Sequence, residues 1–206
     1  MSDSVTTPAP ALHLPDVETR HQPGTYADLV AAARANGAEY SKIWDLFAYQ
    51  CDTTRHLGRF THGVLRTPAS VSTGLRELVA AYTSRLNGCG FCTQSHARAA
   101  AELLGDEALV AAVLIDPDTS ALSDRDKALL RYVRRITLEL PTVGIDDIAA
   151  LKSVGWDDEA IYFTATTCAL FNFYNRWITS MGVPQMSDDA HRVQGRSLAT
   201  RGYTRD

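Results

Sequence analysis

Apolar residues recur at three- and four-residue spacing along nearly the whole stretch from Tyr26 to Met181. Gly, Pro and Asn mark the stops, and no run alternates with the two-residue period of a strand. This pattern predicts an all-α fold, a helical bundle. A first helix carries Leu29, Val30 and Ala33 and stops at Asn36-Gly37, a pair suited to a left-handed C-cap. Further helices are expected over 39–48 and 53–65, the latter ending ahead of Pro68. The next starts at Ser72 or Thr73 and runs to Leu86, with Leu75, Leu78, Val79 and Tyr82 on one side and Asn87-Gly88 closing it. Another begins near Cys89 and reaches Leu104 before Gly105, after which Asp106 caps a short helix. Ser123 with Asp126 resembles a capping box, opening a helix that ends before Pro141. Helices over 146–153 and 158–181 follow, and Gly182 and Pro184 end the pattern. Ser72 to Val79 and Ser123 to Leu130 echo one another, a hint of two related helical halves.

The first 24 residues read differently. Pro8, Pro10, Pro15 and Pro23 interrupt a polar stretch, so 1–24 is expected to be a flexible tail before a single helical domain over 25–206. That stretch has neither the basic n-region nor the apolar h-region of a secretory signal, and no segment is apolar enough to span a membrane. A cytoplasmic location is expected. A net charge of -4 gives no reason to expect nucleic acid or an anionic membrane as partner.

With 4 cysteines in 206 residues the chain is not a disulfide-stapled scaffold, but two of them form a tight Cys-x-x-Cys. Cys89 and Cys92 fall in the first turn of a predicted helix, where their side chains can approach disulfide distance and the free N–H groups favour a thiolate. His96 follows Cys92 by four positions and shares its face, so it can exchange a proton with that sulfur. Glu77 lies on the preceding helix, on a side shared with Ala81, Ser84 and Gly88. These small residues let the helices approach until the carboxylate can orient the imidazole. Random placement of the cysteines and 6 histidines yields Cys-x-x-Cys-x-x-x-His on the order of 0.002 times per chain, so the pattern calls for a mechanism.

Plainer readings compete. Cys89, Cys92 and His96 could supply three zinc ligands with Cys168 or His191 as a fourth, but no second close ligand pair is present, so neither metal nor cofactor is expected. Cys51 and Cys168 read as buried hydrophobes. The aromatic residues Phe163, Phe171, Phe173, Tyr174 and Trp177 read as bundle or oligomer packing before pocket wall.

Glu77, then twelve positions to Cys89, then Cys92 and His96, resembles the core motif of the alkylhydroperoxidase D-like branch of the carboxymuconolactone decarboxylase superfamily. Asn87-Gly88-Cys89-Gly90-Phe91-Cys92 resembles its peroxidase-related members, as do Phe173-Tyr174-Asn175-Arg176 and Met181-Gly182-Val183-Pro184. The resemblance implies an all-helical, homo-oligomeric, peroxiredoxin-type oxidoreductase. In it Cys92 attacks a peroxide, Cys89 resolves the sulfenic acid, and His96 with Glu77 relays protons, while a thiol reductant or redox protein closes the cycle. Phe91 stands where the best-studied peroxidase type has a further histidine, so this chain has one proton carrier fewer. Two alternatives follow from the same residues. One is a cofactor-independent lyase acting on a small carboxylated lactone, a role that does not depend on Cys-x-x-Cys. The other is a non-catalytic redox sensor.

Overall fold

The computed structural model describes residues 11–204. Its elements are α1 (Pro15–Thr19), α2 (Thr25–Ala35), α3 (Ile43–Tyr49), α4 (Cys51–Arg66), α5 (Thr73–Leu86), α6 (Gly90–Leu104), α7 (Glu107–Ile115) and α8 (Asp124–Leu138). A 3-10 turn at Leu140–Thr142, then α9 (Ile145–Ser153), α10 (Asp158–Ser180) and α11 (Asp188–Arg201) complete the order. Among the described residues there is no strand, as the periodicity requires.

α5 is the axis of the molecule. Every residue from Gly74 to Ser84 is buried, and α6, α10 and α8 pack along it. A helix enclosed on all sides is apolar or small at most positions, and Leu78, Val79, Ala80 and Ala81 are fully buried. On one side Leu78, Val79 and Tyr82 meet Leu129, Leu130 and Val133 of α8 and Ile161 of α10. Each aliphatic side chain removed from water there contributes about 1.5–3 kcal/mol. On the other side Ala80 meets Val64, Leu65, Phe171 and Tyr174, and this second cluster encloses Cys89 and Cys92.

Local signals set the ends of these helices. Ser72 Oγ accepts from the Leu75 N–H at 3.1 Å, and Ser123 Oγ accepts from the Asp126 N–H at 3.1 Å. Gly88, at φ 69°, takes the left-handed conformation that turns the chain from α5 into α6. Arg76 is wholly buried on α5, and its guanidinium donates to the carbonyls of Val64 and Thr67 at 2.7 and 2.6 Å. It thereby satisfies acceptors left open where α4 ends.

Two expectations are corrected. The tail expected over 1–24 is folded in its described part; positions 1–10 lie outside the described residues. Pro15 opens α1, at a first-turn position whose N–H would have no intrahelical acceptor. Leu12 and Val17 are buried against Leu46, and the Lys42 ammonium donates to Glu18 at 3.0 Å. The fully buried Asp45 carboxylate collects His21 and Arg34, at 3.1 and 2.8 Å, around this arm.

The second correction is α11, which lies past the last expected helix. Its sequence has few apolar residues and an internal glycine, so it lacks a stripe. It is held by close approach instead: a Cβ at Gly195 would overlap Arg98 of α6. Ser187 caps it, accepting from the Ala190 N–H at 3.2 Å.

No helix among the described residues is long and apolar enough to cross a membrane.

Candidate active site at the start of α6

Packing of α5 on α6 brings Glu77 to His96. The His96 Nδ1–H donates to Glu77 Oε2 at 2.7 Å, with the carboxylate fully buried and the ring nearly so. The other carboxylate oxygen, Oε1, accepts from Arg66 at 2.6 Å and from the Tyr203 hydroxyl at 2.5 Å. Arg66 comes from the last turn of α4 and also donates to the Leu198 carbonyl of α11 at 2.8 Å. Three donors therefore converge on one buried carboxylate. Burial alone would raise the carboxyl's pKa, but the His96 hydrogen bond and the Arg66 charge outweigh it and hold Glu77 below its ordinary range. An anionic Glu77 fixes the proton of a neutral His96 on Nδ1 and leaves Nε2 as the proton acceptor. Phe171 meets the imidazole edge-on at 4.3 Å between ring centroids.

The two cysteines occupy different electrostatic positions. Cys89 is the N-cap residue of α6 and Cys92 lies in its first turn. The Cys92 thiol hydrogen-bonds the Cys89 sulfur and, against the cost of burial, lowers Cys89 to about 6; the Cys92 backbone N–H, Thr179 and Asn175 act in the same direction. The same hydrogen bond, together with burial, pushes Cys92 well above the ordinary thiol value. At neutral pH the resting negative charge thus sits on Cys89, and Cys92 is its hydrogen-bond donor. Asn175 is itself held in place: its Oδ1 accepts from Asn87 at 3.0 Å, and its Nδ2 donates to Ser84 Oγ at 2.9 Å.

A cavity of about 450 Å³ opens beside this pair. Cys92 and His96 line it, whereas Cys89 does not. Its wall is mainly apolar, with Tyr26, Trp44, Phe91 and Tyr174 among its aromatic residues. Glu39 and Asp189 also border it, and no Lys or Arg is among the described residues that line it.

The four residues expected to carry chemistry, Glu77, Cys89, Cys92 and His96, are therefore gathered at one place. The alternative zinc ligands are not. Cys168 sits against Thr137 and Asn172, and His191 is engaged by Ser95 and Gln185. No group of three or more His, Cys, Asp or Glu side chains suited to a metal occurs among the described residues. Phe171 and Tyr174, read as packing, also form cavity wall, and Cys51 is only half-buried. Arg66 and Tyr203 escaped the sequence reading. Arg66 has no motif around it, and Tyr203 had only its aromatic ring in a polar stretch to recommend it.

Residues 52–135, which span Glu77, both site cysteines and His96, match the model of the Carboxymuconolactone decarboxylase family. Two solved structures share this all-helical fold. One is described as an alkylhydroperoxidase AhpD core, an uncharacterized peroxidase-related protein from Ralstonia eutropha JMP134. It matches with a TM-score of 0.73 at 18% identity, covering 91% of this chain and 97% of that one. The other, an uncharacterized peroxidase-related protein from Silicibacter sp. TM1040, matches with a TM-score of 0.75 at 19% identity, covering 92% and 98%. No curated protein matches the chain significantly.

Proposed function

We propose that the protein is a thiol-dependent oxidoreductase that reduces peroxides, or disulfides, through a Cys89–Cys92 disulfide. The observation that carries this reading is the joint placement of Cys92 and His96 on the cavity wall, with the histidine Nδ1 tied to Glu77. His96 Nε2, one helical turn from Cys92, takes the thiol proton. The Cys92 thiolate attacks the outer oxygen of a hydroperoxide; the O–O bond breaks, the sulfur becomes a sulfenic acid, and the departing alkoxide takes the proton from His96. Cys89, already ionised near neutral pH, attacks the sulfenic sulfur, closing the disulfide and releasing hydroxide. An external dithiol then reduces the disulfide by exchange. The low pKa of Cys89 suits the resolving step, which needs a ready thiolate, while Cys92 has the base.

Both structural neighbours are described as peroxidase-related, which favours this class. The lyase alternative is disfavoured by the wall chemistry. A carboxylated lactone would give up hydration to face Glu39 and Asp189, with no lysine or arginine among the described lining residues. The peroxide, the reductant and the homo-oligomeric assembly belong to this proposal as well. Steady-state assay with an organic hydroperoxide and a dithiol tests it. Consumption of many equivalents of peroxide per chain is expected; a single equivalent would make the protein a sensor, and none would remove peroxide as substrate.

A further inference from the structure

Tyr203 reaches the site from the far side of α11. Gly202 has φ 72°, a left-handed conformation, and a Cβ there would collide with the His62 ring at 2.5 Å. The chain can therefore turn sharply after Arg201 and fold back over α4, where the Tyr203 N–H donates to His62 Nδ1 at 3.3 Å. The turn places the phenol ring parallel to the His96 imidazole, at 11° between planes and 6.0 Å between centroids. The Arg66 guanidinium lies over the phenol ring, 5.1 Å from its centre. The hydroxyl donates to Glu77 Oε1 at 2.5 Å, and its oxygen lies 3.2 Å from His96 Nδ1.

A phenol has one proton, and the shorter contact assigns it to the carboxylate. The longer contact is then one in which the phenol oxygen accepts part of the His96 Nδ1–H, so both contacts favour a proton on Nδ1. Burial and the neighbouring Glu77 charge push the Tyr203 hydroxyl well above its ordinary range, which keeps it a donor at every working pH.

We infer that Tyr203 is a positioning residue for the proposed thiol chemistry: it takes up part of the Glu77 charge and so limits how strongly that carboxylate holds a proton on His96. The reasoning is electrostatic. Glu77 stabilises imidazolium, and a carboxylate with fewer donors stabilises it more. Too strong a hold leaves His96 protonated and unable to accept the Cys92 proton. Arg66 and Tyr203 share Oε1 and balance that pull. The inference rests on the thiol-redox reading of the site, and its test must separate the two.

Tyr203→Phe removes the hydroxyl and keeps the ring beside His96 and Arg66. Two rates are followed across pH in wild type and variant: oxidation by an organic hydroperoxide, and alkylation of Cys92 by iodoacetamide, located by mass spectrometry. In the variant both rates are expected to fall by up to about tenfold on the acidic side of the profile and to meet those of wild type at alkaline pH. The acidic limb of each profile is expected to move up by about one pH unit, with an unchanged far-ultraviolet spectrum. A slower rate with an unmoved limb would reduce Tyr203 to a packing residue, and unchanged profiles would remove it from the site altogether. If wild type alkylates but never oxidises, the redox reading has failed, and the alkylation profiles still decide the role of Tyr203. Should Tyr203→Phe not fold, Tyr203→Trp, with its donor displaced, must show the same upward shift of the limb for the inference to stand.

Discussion

The Cys92→Ser protein is expected to lose its first reaction with peroxide, a fall of roughly a thousand-fold or more, as when a nucleophile is removed. Cys92 is the cysteine on the cavity wall and the one with His96 on its own helix face. Cys89→Ser should behave differently. It still reacts once, then stalls as a sulfenic acid on Cys92 that a dimedone-type probe traps. Removing Cys89 also removes the acceptor that raises Cys92, so the stalled protein's first step should be no slower than in wild type. Mass spectrometry of both variants after peroxide separates the roles. A trapped adduct on Cys89 in the Cys92→Ser protein would reverse them, and the low pKa of Cys89 makes that reversal a real contest.

Glu77 carries the second large effect, on stability as well as rate. Glu77→Leu leaves the Arg66 guanidinium, with 12% of its side chain exposed, beside an apolar residue. Breaking one side of a buried pair costs about 3–5 kcal/mol, so the thermal midpoint should drop steeply. Glu77→Gln is milder in shape but not in chemistry. Three donors converge on the two carboxylate oxygens, and an amide has only one acceptor oxygen, so its NH₂ must face a donor on one side. Thiol oxidation should slow by about ten- to a thousand-fold. The pH dependence has a definite sign. The folded Glu77 carboxyl holds its proton more weakly than in the unfolded chain, where 4.5 is the ordinary value. Its stabilisation is therefore complete above that value and is lost as pH falls through the lower folded value. Chemical denaturation from pH 6 down to pH 3 should show a loss in wild type that flattens in Glu77→Gln. Parallel curves would mean that Glu77 is not the linked group.

What could be read from the sequence, and what could not, follows from range. Ser72, Asn87-Gly88 and Ser123 act within one helical turn, and each set the helix end expected of it. The Cys89–Cys92–His96 spacing is likewise local, and the small residues of α5 allowed Glu77 to be placed beside it. Arg66 lies 11 positions from Glu77 and Tyr203 lies 126 positions away, joined only by how α4 and α11 cross α5 and α6. Nothing in their own neighbourhoods distinguishes them from solvated residues. The same limit hid α11, which is held by the absence of a side chain at Gly195 rather than by an apolar stripe. The same limit applies to the first 24 residues. The prolines there read as breakers, yet Pro15 opens a helix whose Val17 is buried against a residue far along the chain, Leu46.

The most direct measurement counts thiols before and after one equivalent of organic hydroperoxide, followed by peptide mapping of the oxidised protein. The chain has 4 cysteines. A fall from four free thiols to two, with one new disulfide linking Cys89 to Cys92 and reversed by a dithiol, is the predicted result. Four thiols unchanged, or a disulfide that joins any other pair, would contradict the Cys89–Cys92 cycle.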